Sequence, residues 1–233
     1  MEIYKSKDLV DTVKAYLDEK MTMVLKAWER NEHVFDFDID KAALIVVDMQ
    51  NYYCSPSFGV FFEDIENVIA NINSISELCR MKNIPVIWLR QNFTVSETQS
   101  DDGLYAKLHK KPLNKELCNL HDGTKLYNKL NINKSYDYEI TKNRYSAFIN
   151  NSSTLHDILR NTNRTQLIFT GLATNVCVES TIRDAMQLDY ETFLISDATS
   201  TVDQILHHVT IVNVKLFFGE VYKTQEIIDL IKR

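Results

Sequence analysis

Leu167-Ile168-Phe169-Thr170-Gly171-Leu172-Ala173-Thr174-Asn175-Val176-Cys177-Val178-Glu179-Ser180-Thr181-Ile182-Arg183-Asp184-Ala185-Met186 is the stretch on which the fold reading turns. Its first six residues are apolar apart from Thr170 and Gly171, the composition of a strand buried on both faces. From Val178 the period changes: Val178, Ile182, Ala185 and Met186 fall on one face of a helix. A fully buried strand feeding an amphipathic helix is half of a parallel βαβ unit.

The same alternation recurs on either side. Upstream, residues 43–47 form an apolar run, followed by Ile65, Val68, Ile72, Ile75 and Cys79 at steps of three and four. Residues 85–89 give a second strand, and residues 138–142 a weaker one before a short helix over 153–160. Downstream, a strand over 192–196 precedes a helix marked by Ile205, Val209, Val212 and Leu216. A last strand over 219–222 and a helix over 225–232 complete the pattern. Five or six alternations predict an α/β fold of three layers (αβα), a mainly parallel sheet with helices on both faces. Residues 90–126 carry no periodic pattern and hold Gly103, Pro112 and Gly123, which predicts a functional excursion or lid. Residues 1–40 read as a helical extension, with Val10, Val13, Leu17, Met21, Val24 and Trp28 on one stripe, packed on the domain or on a second subunit. Residues 41–233 then form a single domain.

The 233 residues are 45% apolar and 25% charged, enough to bury a core without disulfides or a structural metal. A net charge of −6 without a basic run lacks the footprint that holds a phosphate backbone, so nucleic acid is not an expected partner. The longest apolar run, residues 42–47, is far below the roughly 20 residues of a membrane span. Charges every few positions among the first twenty residues exclude the apolar core of a secretory signal there, so a cytoplasmic location is expected. The four cysteines, Cys54, Cys79, Cys118 and Cys177, have no C-x-x-C spacing and read as free thiols. Only five glycines occur, and neither G-x-G-x-x-G nor a P-loop is among them, which leaves no nucleotide cofactor to expect.

Ligands of an open parallel sheet bind beyond the carboxyl ends of its strands. Asp48 ends the first strand, where a charge needs a partner. Lys142 ends the third and is a candidate for that partner. Cys177 follows the fourth strand in the first turn of a helix, with Asn175 or Thr174 expected as cap. A helix N-terminus and an ammonium both favour thiolate over thiol, which predicts a nucleophilic cysteine. His33, His109, His121, His156, His207 and His208 sit at no predicted strand end and show no metal-ligand spacing, so no metal is expected and proton transfer falls to Asp48. Cys54, Cys79 and Cys118 read as buried fillers.

Ala43-Leu44-Ile45-Val46-Val47-Asp48-Met49-Gln50-Asn51, Lys142-Asn143-Arg144-Tyr145-Ser146-Ala147-Phe148 and the run from Thr170 to Ala185 together resemble the isochorismatase-like cysteine hydrolases, over residues 41–222. The resemblance implies the isochorismatase-like hydrolase fold and a catalytic triad of Asp48, Lys142 and Cys177. It also implies a cis Leu172–Ala173 bond and an oxyanion hole from the N–H groups of Ala173 and Cys177. Cys177 argues against the isochorismatases proper. The stretch Arg90-Gln91-Asn92-Phe93-Thr94-Val95 lacks the metal-binding Asp and histidines that nicotinamidases carry. The likeness is greatest to the ureidoacrylate amidohydrolases, through Asn92, Arg144-Tyr145-Ser146 and the segment around Cys177, although Phe93 and Ser57-Phe58-Gly59 depart from that branch.

The expected activity is therefore hydrolysis of a C–N bond in a small amide or ureide, through a covalent acyl-cysteine and with release of ammonia. Asn92 and Tyr145 are expected to bind substrate, and Arg90, Lys107, Lys110 and Lys111 are candidates for a substrate carboxylate. The expected partners are the small-molecule substrate and further copies of the chain, as dimer or tetramer. Another branch of the family, acting on biuret, N-carbamoyl amino acids or nicotinamide, stays open at this point. So do a non-catalytic binding member of the fold and a redox-sensing thiol.

Overall fold

The computed structural model describes residues 7–31, 33–58, 62, 64–109 and 115–233. Gly59, Lys110, Lys111 and Pro112 lie outside them. Six strands form one sheet: β1 Ala42–Val47, β2 Val86–Gln91, β3 Tyr138–Lys142, β4 Gln166–Leu172, β5 Glu191–Ser200 and β6 Glu220–Tyr222. Their order is β3-β2-β1-β4-β5-β6, and every pairing is parallel. The central strands β1 and β4 are buried at every residue, as an apolar run with no alternation requires.

Helices cover both faces: α1 Lys7–Ala27, α2 Asn51–Cys54, α3 Ile65–Met81, α4 Tyr105–His109, α5 Leu155–Asn161, α6 Glu179–Gln187, α7 Gln204–Asn213 and α8 Thr224–Lys232. Side chains alternate across a strand, and β1 divides the core accordingly. Ala42, Leu44 and Val46 pack with Ile72 and Ile75 of α3 and Ile227 of α8, whereas Ala43, Ile45 and Val47 pack with Leu155 of α5 and Ile182 of α6. Local signals set the helix starts. Asp203 caps α7 by accepting from the N–H groups of Ile205 and Leu206, and Glu226 reaches back to the N–H of Lys223 at α8.

Three element boundaries differ from the sequence reading. β2 runs two residues further, to Gln91, because Arg90 and Gln91 continue the ladder with Thr141 and Lys142. β5 extends to Ser200, since past an irregularity Thr199 and Ser200 pair with Gly171 and Leu172. The segment before α6 is a π-helical turn, Thr174–Val178, and a second one, Val214–Phe218, follows α7. Residues 90–126 are not a structureless excursion. Phe93 bridges to Cys118, and Phe93, Leu117 and Cys118 form a small apolar cluster against Tyr52 and Tyr105.

The extension helix α1 presents Val10, Val13, Leu17, Met21 and Val24 as half-buried positions and contributes no fully buried residue. It packs on α7. Its ties are polar or peripheral: Lys14 donates to Gln204 at 3.3 Å, Asp18 meets His208 at 2.8 Å, and beyond its end Trp28 meets Phe217 edge to face. Among the described residues no helix is long and apolar enough to cross a membrane.

Gly171 sets the approach of β4 to β1. Its φ is +102°, and a Cβ there would lie 2.1 Å from the carbonyl oxygen of Val47. No side chain fits this contact, and no L-residue adopts that φ without cost. Gly171→Ala is expected to destabilise the protein by about 2–5 kcal/mol, measured by urea unfolding. An alanine variant with an unchanged midpoint would contradict the packing described.

Candidate active site

β1, β3 and β4 end together, and each delivers one polar group. Asp48 follows β1 in a left-handed conformation, φ 51°, with its N–H donating to Leu89 and its carbonyl accepting from Gln50. That turn aims the carboxylate across the strand ends instead of along the sheet. Lys142, the last residue of β3, places its Nζ 2.8 Å from Asp48 Oδ2 and donates to the Arg144 carbonyl at 3.1 Å. Both residues are 1% exposed. Beyond this ion pair neither Asp48 oxygen accepts a hydrogen bond from an N–H or O–H among the described residues. That leaves carboxylate lone pairs able to accept from the neighbouring thiol.

Cys177 sits in the π-helical turn after β4, 5% exposed, and its thiol hydrogen-bonds with both Asp48 and Lys142. Burial weakens the Lys142 ammonium, but the Asp48 carboxylate and the Cys177 sulfur outweigh it and hold the amine above its ordinary value. For Cys177, burial pushes the thiol pKa up, Lys142 pulls it down, and Asp48 pushes it up again. The net direction is upward. Burial and the neighbouring carboxylate thus oppose the pull of the ammonium, on which the sequence reading of a nucleophilic cysteine relied, and the thiol has a carboxylate beside it to take its proton.

The expected caps are corrected. Ala173 holds the N-cap position with no side-chain hydrogen bond. Thr174 Oγ1 is 2.9 Å from Nδ1 of His207, and Asn175 Oδ1 accepts from Thr201 at 2.7 Å. The extra residue of a π-turn takes both side chains off the helix axis and ties them to neighbouring elements. The Leu172–Ala173 peptide bond is cis. The Ala173 carbonyl accepts from Val176 at 3.0 Å and from Val178 at 3.2 Å, which folds the turn back on that peptide.

His207 anchors the turn from outside. Burial, then Lys14 and the adjacent His208, lower its pKa to about 4, so it is neutral near pH 7. Its folded pKa lies below the unfolded 6.5, so the unfolded chain binds the additional proton between those values and stability falls as pH drops through that window. The loss amounts to about 3 kcal/mol by pH 4. Urea unfolding of wild type and His207→Gln between pH 7 and pH 4.5 is expected to show a steeper acid loss in the wild type, and parallel curves would remove His207 as its source.

Of the proposed substrate-binding residues, Tyr145 is half-buried with its ring 6.0 Å from that of Tyr105, and both feel the charge of Cys177. Asn92 is committed elsewhere: its Oδ1 accepts from Leu120 at 2.8 Å, bracing the loop. Arg90 pairs with Glu139 at 2.9 Å and donates to the Thr124 carbonyl, so its charge is spent within the domain. Lys107 is exposed. Cys54, Cys79 and Cys118 are buried and in no disulfide among the described residues, and burial raises each thiol pKa, that of Cys54 to about 12. No group of three or more His, Cys, Asp or Glu able to hold a metal ion occurs among the described residues.

Sequence reasoning missed the aromatic surround. Tyr53 hydrogen-bonds Gln91 at 2.5 Å, and burial, followed by the charges of Asp48 and Cys177, raises its phenol well above its ordinary value. Tyr105 arrives from residues 90–126. A cavity of about 170 Å³ opens between Gln91, Phe93, Tyr105 and Tyr145. The signal available was local: Tyr52 and Tyr53 follow Asp48 by four and five residues, at the same sheet end.

Residues 42–226 match the family model described as Isochorismatase domain. Among solved structures, the chain is similar to a cysteine hydrolase from Pseudomonas syringae pv. phaseolicola 1448A, at 26% identity over 86% of this chain and 96% of that one, with a TM-score of 0.77. It is also similar in fold to an isochorismatase family protein from Burkholderia thailandensis, at 23% identity over 83% and 97% of the two chains, TM-score 0.70. An isochorismatase-like hydrolase from Alkaliphilus metalliredigens matches at 22% identity over 81% and 98%, TM-score 0.69. With the family model spanning all six strands, the chain belongs to the isochorismatase family and has its three-layer α/β fold.

Proposed function

We propose that the protein is a cysteine-dependent amidohydrolase that cleaves a C–N bond of a small amide or ureide, a ureidoacrylate-like or N-carbamoyl compound. The observation that carries this reading is the buried Lys142–Asp48 ion pair set against the Cys177 thiol at the joint end of three strands. An ion pair so deeply buried is a costly way to hold a fold together, and a general base beside a nucleophile is a use that repays it in rate.

As the thiol sulfur attacks the substrate carbonyl carbon, its proton passes to Asp48, and the carbonyl oxygen becomes an oxyanion. The N–H groups of Ala173 and Cys177 receive that charge, a device in which one donor is worth about 3 kcal/mol. Asp48 returns the proton to the leaving nitrogen, the C–N bond breaks, and ammonia departs from a thioester. Asp48 next takes a proton from water as its oxygen attacks the acyl carbon. The C–S bond breaks and the sulfur regains a proton. Lys142 keeps its charge throughout, holding the carboxylate in place and stabilising the sulfur whenever it is anionic. The small volume of the cavity, below the ~300–1,000 Å³ of drug-sized ligand sites, supports a small substrate.

Ammonia release from ureidoacrylate, biuret, N-carbamoyl amino acids and nicotinamide tests the reading. Turnover of a ureide above the others is expected. Preference for biuret or nicotinamide would move the protein to another branch, and release from none would end the proposal.

A further inference from the structure

Gln91 ends β2, and its register partner on β3 is Lys142. Residues paired across neighbouring parallel strands share a face, and Leu89, two positions back, belongs to the same apolar cluster as Cys177. Gln91 is 1% exposed, and nearly all its polar atoms are engaged. Its N–H donates to Gln50 Oε1 at 2.7 Å, its carbonyl accepts from Gln50 Nε2 at 2.9 Å, and its Oε1 accepts from the Tyr53 hydroxyl at 2.5 Å. The exception is Nε2, which has no hydrogen-bond partner among the described residues. A buried donor without an acceptor disfavours the folded state, so its retention calls for a partner that arrives later. Gln91 lines a cavity together with Tyr105 and Tyr145, and Asn143 and Arg144, which directly follow Lys142, line it too. Gln91 thus brings an unfilled, enclosed donor to the wall of a cavity next to the ion pair.

We propose that Gln91 is a specificity-determining residue, whose Nε2 donates a hydrogen bond to a carbonyl or carboxylate oxygen of the substrate away from the carbon that Cys177 attacks. The inference rests on the amidohydrolase reading and adds to it a requirement: a small substrate with a second acceptor oxygen, lying against the aromatic wall that Tyr105 and Tyr145 present to the cavity. Tyr53 is the positioning residue, since its hydroxyl occupies Oε1 and leaves Nε2 to the cavity.

The test compares Tyr53→Phe with Tyr53→Phe/Gln91→Leu, so that loss of the amide strands no tyrosine hydroxyl. The probe is whichever compound of the amide and ureide panel the wild type hydrolyses fastest. The double variant is expected to raise KM about tenfold over the single, with kcat within about threefold and a Tm no lower. An unchanged KM, or a Tm that falls with kcat and KM altered together, would overturn the inference, the second result marking Gln91 as a structural brace. A binding arm separates this failure from that of the hydrolase reading. Panel compounds at millimolar concentration are scored for thermal shift of Cys177→Ala and of Cys177→Ala/Gln91→Leu. A shift in the first that survives in the second ends the role of Gln91 alone. No ammonia from any compound and no shift in either variant ends both.

Discussion

Cys177→Ala is expected to abolish ammonia release, by about 10⁴-fold or more, while the fold survives. The size follows from the division of labour. Asp48 and Lys142 act on the sulfur and on nothing that alanine can replace, so their contribution vanishes with it, as deletion of one member of a concerted unit removes the effect of all. The fold should tolerate the change because the lost atom is a single buried sulfur among Val178, Ala147 and the β4 end, worth about 1 kcal/mol of packing. Measured kcat/KM beside a Tm within a few degrees of wild type would give that result. A variant with wild-type turnover would show that the chemistry lies elsewhere.

Lys142→Met carries the second large expectation, and it concerns stability as well as rate. The ammonium lies 2.8 Å from a carboxylate that accepts from no N–H or O–H among the described residues, the Cys177 thiol being its other neighbour. Its removal leaves a buried charge without compensation, which costs about 3–5 kcal/mol, or a fall in Tm of about 10 °C at this chain length. Activity should fall by at least about 10²-fold, since the carboxylate is no longer fixed and the sulfur anion formed during attack is no longer neutralised. Asp48→Asn/Lys142→Met is the informative partner. With both charges gone, most of the stability is expected to return and none of the activity. Recovery of neither would mean that Lys142 holds the site together through its bond to the Arg144 carbonyl instead of through its charge.

The sheet was legible because its strands are short, β-branched and buried on both faces, a pattern that needs no partner to be recognised. β1 and β4 therefore stood out, β3 less so because its Tyr138-Glu139 start is exposed, and with them came the three polar residues at their ends. The convergence of those ends is a property of parallel topology: once the strands are parallel and adjacent, Asp48, Lys142 and Cys177 must lie at one edge. The π-turn was not legible, because Thr174 and Asn175 are good caps in any local reading and only His207 and Thr201, about thirty residues away in sequence, reveal that they are used otherwise. The bonds that Asn92 and Arg90 make inside the domain were hidden for the same reason, the partner Leu120 being set by how residues 90–126 fold back and the partner Glu139 by the pairing of β2 with β3. Gln91 was overlooked because polar residues after an apolar run read as lying beyond the strand, whereas the ladder with Lys142 carries β2 through to it. The burial of Cys177 was not legible, because a sequence shows which charges are near but not how little water reaches them.

Burial and the Asp48 carboxylate, which both oppose ionisation of Cys177, have a practical side. Alkylating reagents such as iodoacetamide consume preformed thiolate, so this sulfur should be a slow target for them even in a fully competent enzyme. Compounds that bring their own electrophilic carbonyl, small aldehydes for instance, recruit Asp48 to remove the proton as they bind, and are the better lead for inhibitors.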